Sequence, residues 1–381
     1  MNIIKHTLRK ILTDPVLIIA WILAIISAFF IHPDKEYIGY IDFRSLGILW
    51  GLMIVIQGFR ENCVFEKICE ILLNKVKTGW QLGLVLIFLC FFTSMFITND
   101  VALITFVPFA LMTLNSCNRE DMIIPVVVLQ TVAANLGSML TPIGNPQNLY
   151  LYSLTGMELT DFVSTMLPYS LFTLVLLLIC SLTLPDKNRS LTSKKDNHQI
   201  RRSFGTPVQI AVYCCLFAIA ILTVVRIVPF SIMMIAILGV VAIMDRKILL
   251  RADYILLLTF IGFFIFTGNM ERIPQIKDSL SHIVAGNEFF AGVVTSQFIS
   301  NVPATLILSD FATDYRQLLI GVNVGGLGTL IASMASLISF KLFSNDYKSQ
   351  RGKYIGVFTA VNILFLLLLI IEKVILNESA H

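Results

Sequence analysis

The chain has 381 residues, of which 56% are hydrophobic and only 14% charged. Because an ordinary soluble domain carries roughly 25% charged residues, this composition excludes a soluble domain and indicates an integral membrane protein surrounded by lipid. The formal net charge of +4 comes from cations in short connecting segments that form no continuous basic face, so we expect no nucleic-acid partner.

Apolar runs recur along the chain, and a membrane-crossing helix needs about 20 such residues. Seven runs approach that length: 15–31, 45–59, 162–184, 208–225, 229–244, 254–269 and 354–371. We interpret the first run as an uncleaved span and not as a signal peptide. Together with two broken helices described below, the runs predict an all-α polytopic membrane protein with about nine full spans.

The positive charges predict the topology. With the N-terminus in the cytoplasm, the connecting segments place 21 Lys and Arg residues inside and 7 outside, which is a strong positive-inside bias. We therefore expect a multi-pass protein of the cell (inner) membrane with a cytoplasmic N-terminus and an external C-terminus. The longest polar stretch lies at 186–206 and is interpreted as a cytoplasmic linker between residues 1–185 and 207–381; contact with anionic lipid headgroups is an alternative role.

The two halves contain related sequences. FITNDVALI, near residue 96, aligns with FISNVPATL, near residue 298, and the trio Leu136-Gly137-Ser138 aligns with Leu327-Gly328-Thr329. Five predicted crossings separate corresponding points of the halves, and an odd number turns one half upside down relative to the other. The sequence therefore predicts an inverted repeat, which is the architecture of many secondary transporters, with one extra span in the second half.

Each half contains a predicted helix break and a short hairpin. Pro142, Gly144 and Pro146 interrupt the apolar run 122–154, because proline removes helical hydrogen bonds. Glycines and serines mark the corresponding break in 317–343. The segments 80–114 and 288–313 are predicted to be re-entrant hairpins, since the arms of the second are too short to span.

Polar pairs are expected at the hairpin tips, where Thr98-Asn99 and Ser300-Asn301 would meet the helix breaks. Half-helix N-termini favour an anion, whereas freed carbonyls and hydroxyls favour Na⁺, and an Asn amide serves either ligand. Asp100 is the one ionisable side chain predicted deep in the membrane, and its counterpart in the other half is Val302. It could carry the coupling ion or serve only as a helix cap.

These motifs resemble those of the ion transporter superfamily, which includes divalent-anion:sodium symporters, citrate carriers, ArsB-type arsenite permeases and NhaD-like antiporters. The resemblance rests on Thr98-Asn99-Asp100, on the run from Ala134 to Asn148, and on Ser300-Asn301 followed by Gly325-Gly326-Leu327-Gly328-Thr329. It implies a scaffold domain and a transport domain, with Na⁺ and substrate bound at the hairpin tips. Asp100 and Val302 stand where a dicarboxylate symporter is expected to have Thr, which is more similar to the arsenite-permease and antiporter branches.

We therefore expect a secondary active transporter for a small carboxylate or oxyanion, coupled to Na⁺ or H⁺, without another cofactor. Two groups of site residues follow: for the substrate Asn99, Asn145, Asn148, Asn301 and Ser333, and for the coupling ion Thr98, Asp100, Gly137, Thr141 and Ser300. The alternatives are a Na⁺/H⁺ antiporter, an arsenite-type efflux permease and a passive channel. An intramembrane enzyme is not expected, since one buried acid stands without a buried base. Gly47-x-x-x-Gly51 could form a homodimer face or a close contact within the bundle.

Overall fold

The computed structural model describes residues 14–73, 76–185 and 204–378, and these ranges contain eighteen α-helices and no β-strand. The first nine are α1 (Pro15–Phe30), α2 (Glu36–Gly39), α3 (Phe43–Glu61), α4 (Val64–Leu73), α5 (Gly79–Thr93), α6 (Asn99–Ser116), α7 (Ile123–Gly137), α8 (Pro146–Thr155) and α9 (Leu159–Ser181). The other nine are α10 (Pro207–Val224), α11 (Phe230–Leu249), α12 (Tyr254–Glu271), α13 (Pro274–Val284), α14 (Glu288–Ile299), α15 (Asn301–Ser309), α16 (Tyr315–Val324), α17 (Met334–Asp346) and α18 (Arg351–Glu378). Residues 186–203 of the predicted linker lie outside the described residues.

Several helices begin at side chains that satisfy free backbone N–H groups of the first turn. Thr78 and Gln81 form a capping box at the start of α5, and Thr206 and Gln209 form the same arrangement at α10. Aspartates cap the starts of α1, α3, α12 and α16, namely Asp14, Asp42, Asp253 and Asp314. The polar connections of the sequence therefore define where the apolar helices begin.

Within the described ranges, five helical segments are long and apolar enough to cross a bilayer. They are 120–140, which contains α7, then α9, α10, α12, and 348–378, which contains α18. A sixth is obtained when α3 and α4, bent by 54°, are taken as one segment. The chain is therefore a multi-pass membrane protein. The total of about nine spans also needs α1, α11 and the pair α16–α17, and it stays a prediction.

The helices pack in two groups. In one, α1 lies against α12, and α3 lies against α10 and α11. In the other, α5 packs on α6 and α7, α14 packs on α15 and α16, and two helices cross between the halves: α17 packs on α6 and α7, and α8 packs on α15 and α16. The segment that contains α7 is 89% buried, whereas α10 is 28% buried, so the second group encloses the centre of the molecule.

Gly47 and Gly51 lie inside the first helix group, where α3 packs on α11. A Cβ atom added to Gly51 would be 2.8 Å from Cε of Met233 and 3.0 Å from Cδ1 of Ile237, and one at Gly47 would be 3.4 Å from the ring of Phe230. The glycine face of α3 is therefore covered by α11 of the same chain. This face serves close packing within the bundle, so it does not form the interface of a homodimer. The homodimer itself stays a prediction.

Candidate functional site

Two hairpin tips and two helix breaks form the centre of the second helix group. The first tip, Thr98-Asn99, joins α5 to α6, and the second tip, Ser300-Asn301, joins α14 to α15. The first break, residues 138–145, separates α7 from α8, and the second break, residues 325–333, separates α16 from α17. These four segments contain seven of the ten predicted site residues. Asp100 and Gly137 directly adjoin them, and Asn148 lies in the first turn of α8.

Each tip docks on the break of its own half through the backbone. The N–H of Asn99 donates to the carbonyl of Gly144 over 3.1 Å, and the N–H of Asn301 donates to the carbonyl of Ala332 over 2.9 Å. Non-helical backbone at membrane depth is tolerated only when its polar groups are paired in protein or line a cavity. The tips therefore help to satisfy the breaks.

Two glycines let the arms approach the breaks. A Cβ atom on Gly137 would lie 2.2 Å from the carbonyl oxygen of Phe91 and 2.7 Å from Oγ of Ser94. One on Gly325 would lie 2.9 Å from Oγ of Ser296, which aligns with Ser94. These contacts pair Gly137 with Gly325, three residues before the Gly328 that the sequence alignment paired with it.

Side-chain amides bond further carbonyls of the breaks. Nδ2 of Asn148 lies 3.3, 3.2 and 3.1 Å from the carbonyl oxygens of Ser138, Met139 and Thr141. In the second break, Nε2 of Gln297 lies 2.9 Å from the carbonyl oxygens of both Gly325 and Leu327. Each break is therefore held by one buried or half-buried amide, which keeps the non-helical backbone paired.

The half-helices that follow the breaks begin at Asn145 and Ser333. Both residues are extended N-caps, and Oδ1 of Asn145 accepts from the N–H of Asn148 over 2.9 Å. The N-terminal ends of α8 and α17 carry the partial positive charge of the helix dipole, which favours an anion. These two helix starts are the electropositive elements of the candidate site.

Asn135 connects three elements. Its Oδ1 accepts from Nδ2 of Asn99 and from Oγ of Ser333, each over 3.0 Å, and its Nδ2 donates to Oγ of Ser336 over 3.2 Å. Asn135 is 4% exposed. It joins the first tip to the start of α17, which belongs to the other half of the sequence.

Asn323 occupies the corresponding position in the second half. Its Oδ1 accepts from Nδ2 of Asn145 over 3.0 Å, and its Nδ2 donates to Oδ1 of Asn148 over 2.7 Å. Nδ2 of Asn145 also donates to Oγ of Ser138 over 3.1 Å. Asn145 and Asn148, both predicted for the substrate, are thus held together by a residue of the other half.

One carboxylate oxygen of Asp100, Oδ1, is buried beside the first tip. This oxygen has no hydrogen-bond partner among the described residues, while the N–H of Asp100 donates to Oδ1 of Asn99 over 3.0 Å. Thr98, and not Asp100, occupies the N-cap position of α6, so the acid is the second residue of the helix. The cap alternative for Asp100 therefore does not describe its geometry.

Ser300 at the second tip has a strained backbone. Its φ of 74° and ψ of 152° lie in a region that is almost restricted to glycine and costs roughly 1–3 kcal/mol. The side chain is 1% exposed, and its Oγ has no partner among the described residues. A strained residue with an unpaired hydroxyl at a buried tip is typical of a functional site.

The predicted coupling-ion residues fall into two places. Four of them lie at or near the first tip: Thr98, Asp100, Gly137 and Thr141. There the Thr141 hydroxyl donates to the carbonyl of Met95. Ser300 lies at the second tip and has no hydrogen bond to these four in the described part of the chain. Of the predicted substrate residues, Asn99 and Ser333 share one acceptor, Asn145 and Asn148 share Asn323, and the side chain of Asn301 faces Gly326.

Sequence reasoning assigned no role to Asn135 and Asn323. Asn135 lies in the motif from Ala134 to Asn148. Asn323 is a lone amide in an apolar stretch just before the Gly325-Gly326 pair. A usable signal was present, since Asn145 follows Asn135 by ten residues and Ser333 follows Asn323 by ten. That spacing becomes visible only when Gly137 is paired with Gly325.

Comparison with known proteins gives a consistent result. The citrate transporter (CitMHS) family model matches residues 7–321. An uncharacterised transporter of Methanocaldococcus jannaschii, MJ0456, is 31% identical over 86% of this chain and 88% of its own length. The inner membrane protein YbiR of Escherichia coli is 28% identical over 84% of this chain and 85% of its own. A putative transporter of Dictyostelium discoideum, arsB, is 27% identical over 39% of this chain and 27% of its own.

Proposed function

The chain belongs to the citrate transporter family of the ion transporter superfamily, and from this premise we propose that it moves a small carboxylate or oxyanion, coupled to Na⁺ or H⁺, by alternating access. The family is one of transporters and not of enzymes. The observation that carries the proposal is that two polar hairpin tips meet two helix breaks, and that at both tips a buried oxygen has no partner within the described ranges. A buried polar atom without a partner favours a ligand that the site takes up.

The proposed architecture is an inverted repeat in which α3–α9 correspond to α12–α18, with α10 as the extra span. Matching contacts support it: α1 packs on α12 as α11 packs on α3, and α8 packs on α15 and α16 as α17 packs on α6 and α7. The amphipathic helices α4 and α13 occupy the same place, after α3 and α12 and before the hairpins. This proposal includes about nine spans and two repeats, residues 1–185 and 207–381. It also places the N-terminus in the cytoplasm and the C-terminus outside.

For the substrate, we propose a site between the starts of α8 and α17. The partial positive charge of these helix starts attracts an anion, and neighbouring amide and hydroxyl side chains can add neutral donors. The proposed substrate residues are Asn99, Asn145, Asn148, Asn301 and Ser333. Among them the amide of Asn301 is the most available, because no hydrogen bond to its side chain is found within the described residues.

For the coupling ion, we propose binding at the tips. Thr98, Asp100, Gly137 and Thr141 supply a carboxylate, hydroxyls and backbone carbonyls at the first tip. Ser300 supplies at the second tip a hydroxyl that no described residue pairs with. All of these are oxygen donors, which suit Na⁺. A carboxylate in this position also suits a proton.

A second candidate function is a Na⁺/H⁺ antiporter, with an arsenite-type efflux permease as a further variant. Oδ1 of Asp100, which has no hydrogen-bond partner among the described residues and no acidic counterpart at Val302, favours a cation or proton carrier. The name of the relative arsB is consistent with the efflux variant.

Uptake by proteoliposomes tests these functions. Labelled citrate, succinate, aspartate, sulfate, phosphate and arsenite are offered with an inward Na⁺ gradient, an inward H⁺ gradient or neither, and internal pH is followed with a trapped dye. Gradient-dependent uptake of one anion supports the first proposal. Cation-driven proton flux without any added anion, and no anion uptake, would replace it by the antiporter.

A further inference from the structure

We propose that Asn135 and Asn323 are a matched pair of positioning residues that hold the starts of α17 and α8, and that Asn135 also connects the coupling-ion side of the site to the substrate side. The inference rests on the transport function proposed above. It assigns a role to two buried amides outside both sets of predicted site residues.

The first support is an exchange of partners between the halves. Asn135 bonds to Ser333 and Ser336, the N-cap of α17 and the residue three positions later. Asn323 bonds to Asn145 and Asn148, the N-cap of α8 and the residue three positions later. Each amide therefore bonds to the N-cap residue and to the residue three positions later in a half-helix of the opposite half.

The second support is burial. Asn135 and Asn323 are 4% and 2% exposed, and their partners Asn145, Asn148 and Ser333 are at most 1% exposed. Hydrogen bonds in a water-poor interior are expensive to break, because the released groups find no solvent. The two amides therefore fix the distance and angle between the two electropositive helix starts. That spacing determines which anions fit between them.

The third support is a difference between the two residues. Oδ1 of Asn135 accepts from the first tip as well, through Asn99, whose own Oδ1 accepts from the N–H of Asp100. A cation that moves the first tip therefore acts on the same oxygen that holds Ser333. Within the described residues, Oδ1 of Asn323 accepts from Asn145 alone, so Asn323 lacks a link to the second tip.

This difference separates the effects of two equivalent substitutions. Asn135→Ala should raise the half-saturating concentrations of both the anion and the coupling cation by about tenfold, the factor expected for loss of a buried hydrogen-bond pair. Asn323→Ala should raise that of the anion by a similar factor and leave that of the cation unchanged. A role in folding alone would lower the amount of active protein and leave both half-saturating concentrations as they are.

The control is Asn362→Ala. Asn362 is fully buried in α18, its Nδ2 donates to the carbonyl of Phe358 in the same helix, and it belongs to neither tip nor break. Initial uptake rates are measured for the wild type and the three variants at varied anion and varied cation, with the amount of folded protein determined by size-exclusion chromatography. The proposal is overturned if both test variants change the cation dependence equally, or if neither exceeds the control.

A second measurement needs no substrate, so it tests the positioning role of Asn323 separately from the transport function. Thermal unfolding of the ligand-free protein is recorded for Asn323→Ala, Asn148→Ala, Ser336→Ala and the two double variants that contain Asn323→Ala. The effects of Asn323→Ala and Asn148→Ala should be non-additive, whereas those of Asn323→Ala and Ser336→Ala should add. Additivity in both cycles would contradict the positioning role even if the wild type transports. Non-additivity of Asn323→Ala and Asn148→Ala would support that role even if no anion is transported.

Discussion

Asp100 and Ser300, at the tips of two different hairpins, each bury a side-chain oxygen that has no hydrogen-bond partner in the described part of the chain. The tips occupy equivalent places, since Asn99 and Asn301 donate to the carbonyls of Gly144 and Ala332 in the same way. They differ chemically, because one offers a carboxylate and the other a hydroxyl on a strained backbone. The two tips should therefore contribute differently to coupling.

Asp100→Asn should abolish or strongly change the dependence of transport on Na⁺ and pH. The amide keeps the size of the side chain but removes the charge and the titratable proton, which are the properties a coupling residue uses. Uptake rates at varied Na⁺ concentration and pH measure the effect. If rate and both dependences stay those of the wild type, Asp100 has no part in coupling.

Ser300→Ala and Ser300→Gly separate ligand binding from backbone strain. Both remove the hydroxyl and should weaken cation-dependent uptake, but only glycine adopts a φ of 74° without strain. Ser300→Gly should therefore be more stable than Ser300→Ala by about 1–3 kcal/mol in ligand-free thermal or denaturant unfolding. Equal stability of the two variants would contradict the strain, and normal cation dependence in both would remove the hydroxyl from the site.

Gly137→Ala should destabilise the protein and lower transport. The new Cβ would be 2.2 Å from the carbonyl oxygen of Phe91, a backbone atom that cannot move without shifting α5. Overpacking of this kind costs typically about 1–3 kcal/mol, or more where backbone must shift. Gly239→Ala is the matched control, because a Cβ there has nothing within 4 Å. Unfolding temperatures that agree for the two variants would contradict the close approach.

Asp310, in the connection between α15 and α16, should make stability depend on pH. Burial raises the pKa of Asp310 to about 6, opposed by a hydrogen bond from Thr267 and reinforced by the charge of Glu271. The native state therefore holds the proton more tightly than the unfolded chain, and raising the pH from about 4 through 6 lowers the free energy of unfolding.

Asp310→Asn should remove this dependence. The variant should gain stability relative to the wild type above pH 6, by up to about 3 kcal/mol, and have no advantage near pH 4. Thermal unfolding at a series of pH values measures the difference. A constant difference at all pH values would show that Asp310 does not titrate in this range.

The hairpin tips and the first break could be predicted because their signals are local. Thr98-Asn99 and Ser300-Asn301 are polar pairs in apolar runs, and Pro142 and Pro146 cannot continue a helix. The second break was predicted from the glycines between 325 and 328 and the serines at 333, 336 and 339, and the non-helical residues run from Gly325 to Ser333. Repeated sequence in two places also indicated that the tips belong together.

The network between the halves could not be predicted, because it joins residues roughly two hundred positions apart that differ in type. Asn145 and Ser333 occupy the same N-cap position but are an amide and a hydroxyl, and the alignment through Gly328 placed them three residues out of step. The cover of Gly47 and Gly51 by α11 is likewise a tertiary contact. Spacing suggested a close helix approach there, but the partner follows only from the fold.

The measurement that tests the account most directly is ligand-dependent thermal stabilisation of the purified protein. Citrate, succinate, aspartate, sulfate, phosphate and arsenite are each added with and without Na⁺, at acid and at neutral pH. A ligand that binds only the folded state raises its stability by mass action, by about 2.7 kcal/mol at one hundred times its dissociation constant. We predict that one anion raises the unfolding temperature only when Na⁺ or protons are supplied. A shift with Na⁺ or pH alone, and none with any anion, would contradict the account and favour cation exchange.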